Sequence, residues 1–145
     1  VTVVVGVGES AASRAALRQA AQEARWRHAA LVAVTVYEPS LGAPTSGYPI
    51  VALRTDSEKR ATAESTLRDT VHKELGDQDV QIDLRVSGGL AGRVIIDTAR
   101  QTAAQLIVLA ADAGKSVVPG TVSHHVLLKA ECPVMVVPGT EPDGS

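Results

Sequence analysis

The stretch "VTVVVGVGESAASRAALRQAAQEARWRHAALVAVTVY", residues 1–37, decides the fold. Its first seven residues are an almost wholly apolar run broken by glycine, the pattern of a strand buried on both faces. Ser10 then stands in front of a helical pattern. Leu17, Ala20, Ala21 and Ala24 fall on one stripe, and Arg14, Arg18, Gln22 and Arg25 take the other side. "ALVAVTVY" (30–37) is a second buried strand. Two apolar strands joined by an amphipathic helix make a right-handed crossover, so the strands run parallel.

Working outward, the linker 38–56 holds Pro39, Gly42, Pro44, Gly47 and Pro49, and a loop of this length is usually functional or mobile. Ser57 and Glu58 start a second helix with Leu67, Val71 and Leu75 at spacing four, closed by Gly76. "VQIDLRV" (80–86) alternates, which predicts an edge strand with one wet face. Gly88-Gly89 leads into a helix carrying Leu90, Val94, Ile95 and Ala99. "AQLIVLAA" (104–111) is a fourth strand, "VSHHVLLKA" a fourth helix and "CPVMVVP" (132–138) a last strand before an exposed tail, 139–145. The expectation is one α/β domain over 1–138, an open parallel sheet of five strands with helices on both faces. Ligands of such sheets sit at the carboxyl ends of the strands, at the switch point, which singles out loops 6–13, 37–56, 86–90 and 110–121.

Composition fits this reading. There is no Phe, so Val, Ala, Leu and Ile must build the core, as in parallel sheets covered by close-packed helices. A formal charge of −2 gives no general attraction to nucleic acid or to an anionic membrane. Cys132 stands alone, which rules out an intrachain disulfide and a cysteine zinc set, and its setting "ECPVMVVP" predicts a buried structural thiol. No apolar run reaches the ~20 residues that span a bilayer, and no signal-peptide pattern opens the chain. The expected location is the cytoplasm.

Several motifs fail on inspection. Gly114-Lys115-Ser116 has the tail of a P-loop, but the first glycine of that motif falls on Leu109 and the loop follows the fourth strand. Gly6-Val7-Gly8-Glu9-Ser10-Ala11 matches G-x-G-x-x-A between a strand and a helix. Its acidic partner Glu38 lies 27 residues beyond Ala11, and Glu9 would repel a pyrophosphate. His124 and His125 are adjacent, about 100° apart on a helix, and do not converge on one metal. His28 and His72 fit a helix end and a helix surface. No nucleophile stands at a strand end with its base, so hydrolase chemistry has no support. A phosphorelay receiver would need acids where Gly8, Glu9 and Ser87 stand.

Taken together, "VVVGVGESAASRAALRQAA", "LVAVTVYEP", "RVSGGLAGRVIIDTA" and "LIVLAADAG" followed by "GTVSHHVLLKAECPVMVV" resemble the universal stress protein family over nearly the whole chain. The last segment is the most specific match. The resemblance implies an adenine nucleotide alpha hydrolase-like, Rossmann-like sheet with strand order 3-2-1-4-5.

Members of that family divide into those that bind ATP and those that do not. The ATP-binding kind carries Gly, two residues, Gly, nine residues, then Gly with Ser or Thr, which sets amides and hydroxyls at a helix N-terminus. Here Gly120-Thr121 supplies the last pair, followed by Val122 and Ser123, but the earlier glycines fall on Ala110 and Ala113. Six residues, not nine, separate Ala113 from Gly120, and five if Gly114 stands in. The family's nucleotide-holding Asp after the first strand falls on Gly8. Two readings follow. The first is a non-catalytic stress-response or regulatory module that needs no cofactor and does not depend on ATP in the usual pose. The second is a sensor holding ATP or another adenine nucleotide weakly. In that case Val7, Gly8 and Val36 line the adenosine end, Thr121, Val122, Ser123 and the Gly120 amide meet the phosphates, and Ala110 and Gly114 belong to the same nucleotide site. The resemblance also implies a homodimer through 132–138, whose apolar edge would otherwise stand unprotected, and a protein partner of unknown identity.

Overall fold

The apolar run at the start of the chain becomes β1 (Thr2–Gly6), and Ser10 caps α1 (Ala11–Arg27) by accepting a hydrogen bond from the Ser13 amide. In this computed structural model the residues described are 1–39, 55–111 and 121–138, without the Thr121 side chain. The stripe read from the sequence is the buried one: Leu17, Ala20, Ala21 and Ala24 are wholly inaccessible. α1 stops at His28, which takes a left-handed conformation (φ 53°) and returns its amide to the Ala24 and Arg25 carbonyls. β2 (Ala30–Tyr37) follows with the bounds expected from its sequence.

Residues 40–54 of the expected linker lie outside the described residues. α2 (Asp56–Leu75) starts slightly before the Ser57 expected. The reason is Thr55, whose hydroxyl accepts from the Glu58 amide, the threonine half of a capping box. Leu67, Val71 and Leu75 are its buried face, and Gly76 closes it. β3 (Ile82–Gly88) is displaced towards the C-terminus relative to 80–86, because its ladder with β2 runs on to Tyr37 and Gly88. Gly89 sits at φ +135°, a conformation open to glycine alone at low cost, and turns the chain into α3 (Ala91–Gln101). Leu90 is not a core residue of that helix: it is the N-cap, 71% exposed and without a side-chain capping bond. β4 (Ala104–Ala110), α4 (Thr121–Lys129) and β5 (Val134–Val137) complete the order. The last strand is shorter than the 132–138 expected, since Cys132 and Pro133 belong to the turn before it.

The sheet has five parallel strands in the order β3-β2-β1-β4-β5. Side chains alternate across it and feed two cores. Val3, Val5, Leu31, Ala33, Leu106 and Val108 meet α1 and α2 on one face. Val4, Val32, Val34, Ile107 and Leu109 meet Ile95, Ile96, Ala99 and Val126 of α3 and α4 on the other. Order reverses between β1 and β4, so the chain opens a crevice at their carboxyl ends. No helix among the described residues is long and apolar enough to cross a membrane.

Candidate functional site

Three helices begin around that crevice. Residues at the start of α1 (Ser10 and Ser13), α3 (Ala91) and α4 (Val122 and Ser123) line a cleft of about 240 Å³ over the ends of β1, β2 and β4. Each helix start carries amides without intrahelical partners and the positive end of a dipole, which favours an anion. α3 is more open than α1, because Leu90 offers no oxygen to cap it where Ser10 caps α1.

The floor of the cleft is apolar. Val7, Val34, Val36, Ile95, Leu109 and Ala110 line it. The Val7 backbone is spent within the fold: its amide donates to the Val34 carbonyl at 2.8 Å, and its carbonyl accepts from the Thr35 hydroxyl at 3.0 Å. The Val34 carbonyl therefore points to the β1 side, and strand alternation turns the Val36 amide and carbonyl the same way. β1 has ended by that level, so the Val36 peptide groups face the crevice. A planar base that presents a donor and an acceptor along one edge suits such a strand end.

Gly8 holds the position next to the mouth, and its amide donates to the Ser13 hydroxyl. Ser123 is 3% exposed, lines the cleft and has no side-chain hydrogen bond among the described residues. With no buried side-chain oxygen left unpartnered among the described residues, this hydroxyl is open to the cleft and free to donate or accept at the head of α4. None of the described lining residues carries a titratable side chain.

Of the residues named from the sequence, the cleft gathers Val7, Gly8, Val36, Ala110, Val122 and Ser123. Thr121 opens α4, while Gly114 and Gly120 lie outside the described residues. Ser10, Ser13, Val34, Ala91, Ile95 and Leu109 are additions from the structure. Ser13 carried a readable signal, a hydroxyl one turn after the cap on the buried side of α1.

A family model described as the universal stress protein family matches residues 2–138. The chain belongs to the universal stress protein family. Among solved structures it is similar to the universal stress protein UspA from Lactobacillus plantarum, with a TM-score of 0.74 and 26% identity, covering 94% of this chain and 96% of that one. A universal stress protein from Archaeoglobus fulgidus, solved in complex with dAMP, matches with a TM-score of 0.65 and 22% identity over 94% of this chain and 96% of that one. A universal stress protein in complex with cAMP matches with a TM-score of 0.68 and 21% identity over 96% of this chain and 97% of that one. A comparison with curated proteins found no match. The last two likenesses speak for the fold, and the family model carries the assignment.

Cys132 lies away from this universal stress protein cleft, in the turn before β5. It is half-buried rather than fully enclosed as expected, and it lines a separate cleft of about 360 Å³ at the opposite end of β4. Burial, and then the neighbouring Glu131 carboxylate, push its thiol above the ordinary cysteine value. Alkylation by iodoacetamide at neutral pH is therefore expected to run slower than for free cysteine. A rate equal to the free amino acid would contradict that environment.

Proposed function

We propose that the protein is a non-catalytic stress-response module that does not depend on ATP in the usual pose of its family. The cleft's lining carries this reading: proton transfer needs a positioned acid or base, and no described lining residue supplies one. The family's nucleotide-holding carboxylate is replaced by Gly8, whose amide is already engaged by Ser13. Calorimetric titration with ATP, ADP, AMP and cyclic AMP tests it. ATP is expected to bind more weakly than about 100 μM, roughly −5.5 kcal/mol, with no phosphate release. Micromolar ATP affinity or turnover would overturn it.

A second reading is favoured by the unpartnered Ser123 hydroxyl and the Val36 peptide edge. On it the cleft holds an adenine mononucleotide weakly, base against Val36 and phosphate at the heads of α3 and α4. The family structures solved with cAMP and dAMP support that chemistry.

The partner on this reading is a second copy, met through β5, and the compartment is the cytoplasm. Ile107 donates to the Pro133 carbonyl and Ala111 to the Val137 carbonyl, so the backbone groups of Val134 and Val136 point away from β4. They form an open edge, and Leu127 and Leu128 of the neighbouring α4 are exposed. Val136→Pro removes one outward donor while sparing the β4 ladder. It is expected to shift a concentration-dependent dimer to monomer with the fold intact. Native mass measurement over a dilution series reads this, and a wild-type chain that stays monomeric at high concentration would refute the dimer.

A further inference from the structure

The face of the sheet covered by α3 and α4 is not covered evenly. α3 packs on β2, β1 and β4, and α4 packs on β5. β3 buries Ile82, Leu84 and Val86 towards α2, which leaves Asp83, Arg85 and Ser87 on the other face. Between that polar strip and α3 lies a groove of about 380 Å³, roomier than the cleft at the switch point.

Two features set this groove apart from an ordinary wet strand. Thr98 lines it: the residue as a whole is buried, its hydroxyl stays open to solvent without a hydrogen-bond partner among the described residues, and only its carbonyl is used, by Thr102. A hydroxyl left open on an otherwise buried residue is free to bond a ligand atom in the groove. Arg60 also lines the groove, from the start of α2 on the opposite face, and has no ion pair or hydrogen bond among the described residues. Arg85 stands beside the groove floor, with only its Nε given to Asp83 at 3.1 Å in an exposed pair of little energetic weight.

The charges are of both signs. Arg60 and Arg85 offer guanidinium groups suited to a carboxylate. Asp97, on the exposed side of α3, lines the same groove and can take an ammonium. Val34 and Val94 supply an apolar wall between them. We propose that the groove between β3 and α3 is a second binding site, separate from the switch-point cleft, for a free aliphatic α-amino acid. Its carboxylate lies at Arg60 and Arg85, its ammonium at Asp97, and the Thr98 hydroxyl bonds to one of its polar atoms.

Thermal shift followed by calorimetry on the whole chain, with each of the twenty amino acids up to about 10 mM, is the first test. At least one of valine, leucine, isoleucine or methionine is expected to bind. The binder is then compared with its amide, which lacks the carboxylate, with its deaminated acid, which lacks the ammonium, and with inorganic phosphate. Each analogue is expected to bind about tenfold more weakly or worse, since each strands a charged group. Arg60→Ala, at an exposed position that leaves the core untouched, should weaken binding by a similar factor. Thr98→Val should weaken it about fivefold without moving the apo melting temperature by much. Saturation with AMP should leave it unchanged. The proposal fails if no amino acid binds, if Arg60→Ala has no effect, if phosphate or the deaminated acid binds as well, or if AMP competes.

Discussion

Replacing Leu17 with alanine is expected to lower the thermal midpoint by roughly 5–15 °C, a loss of about 2–5 kcal/mol. Leu17 is wholly buried near the middle of α1, in the core shared with Val3, Val5, Leu31 and Leu67. Its neighbours on the helix stripe, Ala16, Ala20, Ala21 and Ala24, are also wholly buried. That alanine surface lets α1 lie close on the sheet, and it leaves no long side chain on the helix stripe itself to fold into the cavity. No aromatic side chain stands in this core among the described residues, so no ring can swing across to recover the volume. The cost should therefore fall in the upper part of the range, against a total stability of about 5–15 kcal/mol. Leu90→Ala is the matched control: at 71% exposure, and with no side-chain capping bond to lose, it should change stability by less than about 0.5 kcal/mol. Calorimetric melts of both variants decide the matter. A Leu17→Ala loss below about 1 kcal/mol would mean that α1 is not seated as described.

The same packing explains which parts of the fold could be read from residues alone. β2 was legible to its ends because a central strand, buried on both faces, leaves an unbroken apolar run between polar turns. α1 was legible because a serine cap and an alanine stripe both mark it. β3 was legible as an edge strand but not in its register. Its last pairings, Ser87 with Val36 and Gly88 with Tyr37, are made by backbone, and no side-chain pattern announces them. Leu90 misled for a related reason: an apolar residue before a helical run looks like its first core position, and only the turn at Gly89 shows that it caps the helix from outside.

At the cleft, the resemblance supplied residues that lie in loops and at helix heads, where motifs are written. It could not supply Val34, Ile95 or Leu109, which reach the cleft from within their strands and helix through the pleat and the pitch of the helix. Nor does any sequence pattern show that the Gly8 amide is held by Ser13. The charge left out at Gly8 was visible from the start, and its consequence can be measured.

Gly8→Asp is accordingly expected to raise affinity for adenosine about tenfold, through a charge-assisted hydrogen bond to a ribose hydroxyl. The backbone permits the change. Gly8 is not among the glycines with positive φ, and a Cβ there would meet the Ser13 hydroxyl oxygen at 3.6 Å, an ordinary contact. A carboxylate just ahead of α1 also suits the positive end of that helix, so stability should hold or rise by a few tenths of a kcal/mol. Adenosine is the better probe than ATP, because the added charge repels phosphates while it holds the sugar. Calorimetry with adenosine on both proteins gives the result directly. A folded variant with unchanged adenosine affinity would show that the base does not lie against Val36, and the weak-nucleotide reading would go with it. An increase would instead count the absent carboxylate at Gly8 among the physical causes of weak adenine-nucleotide binding, since one side chain would have supplied a sugar anchor despite the alanines at 110 and 113 and the shortened loop.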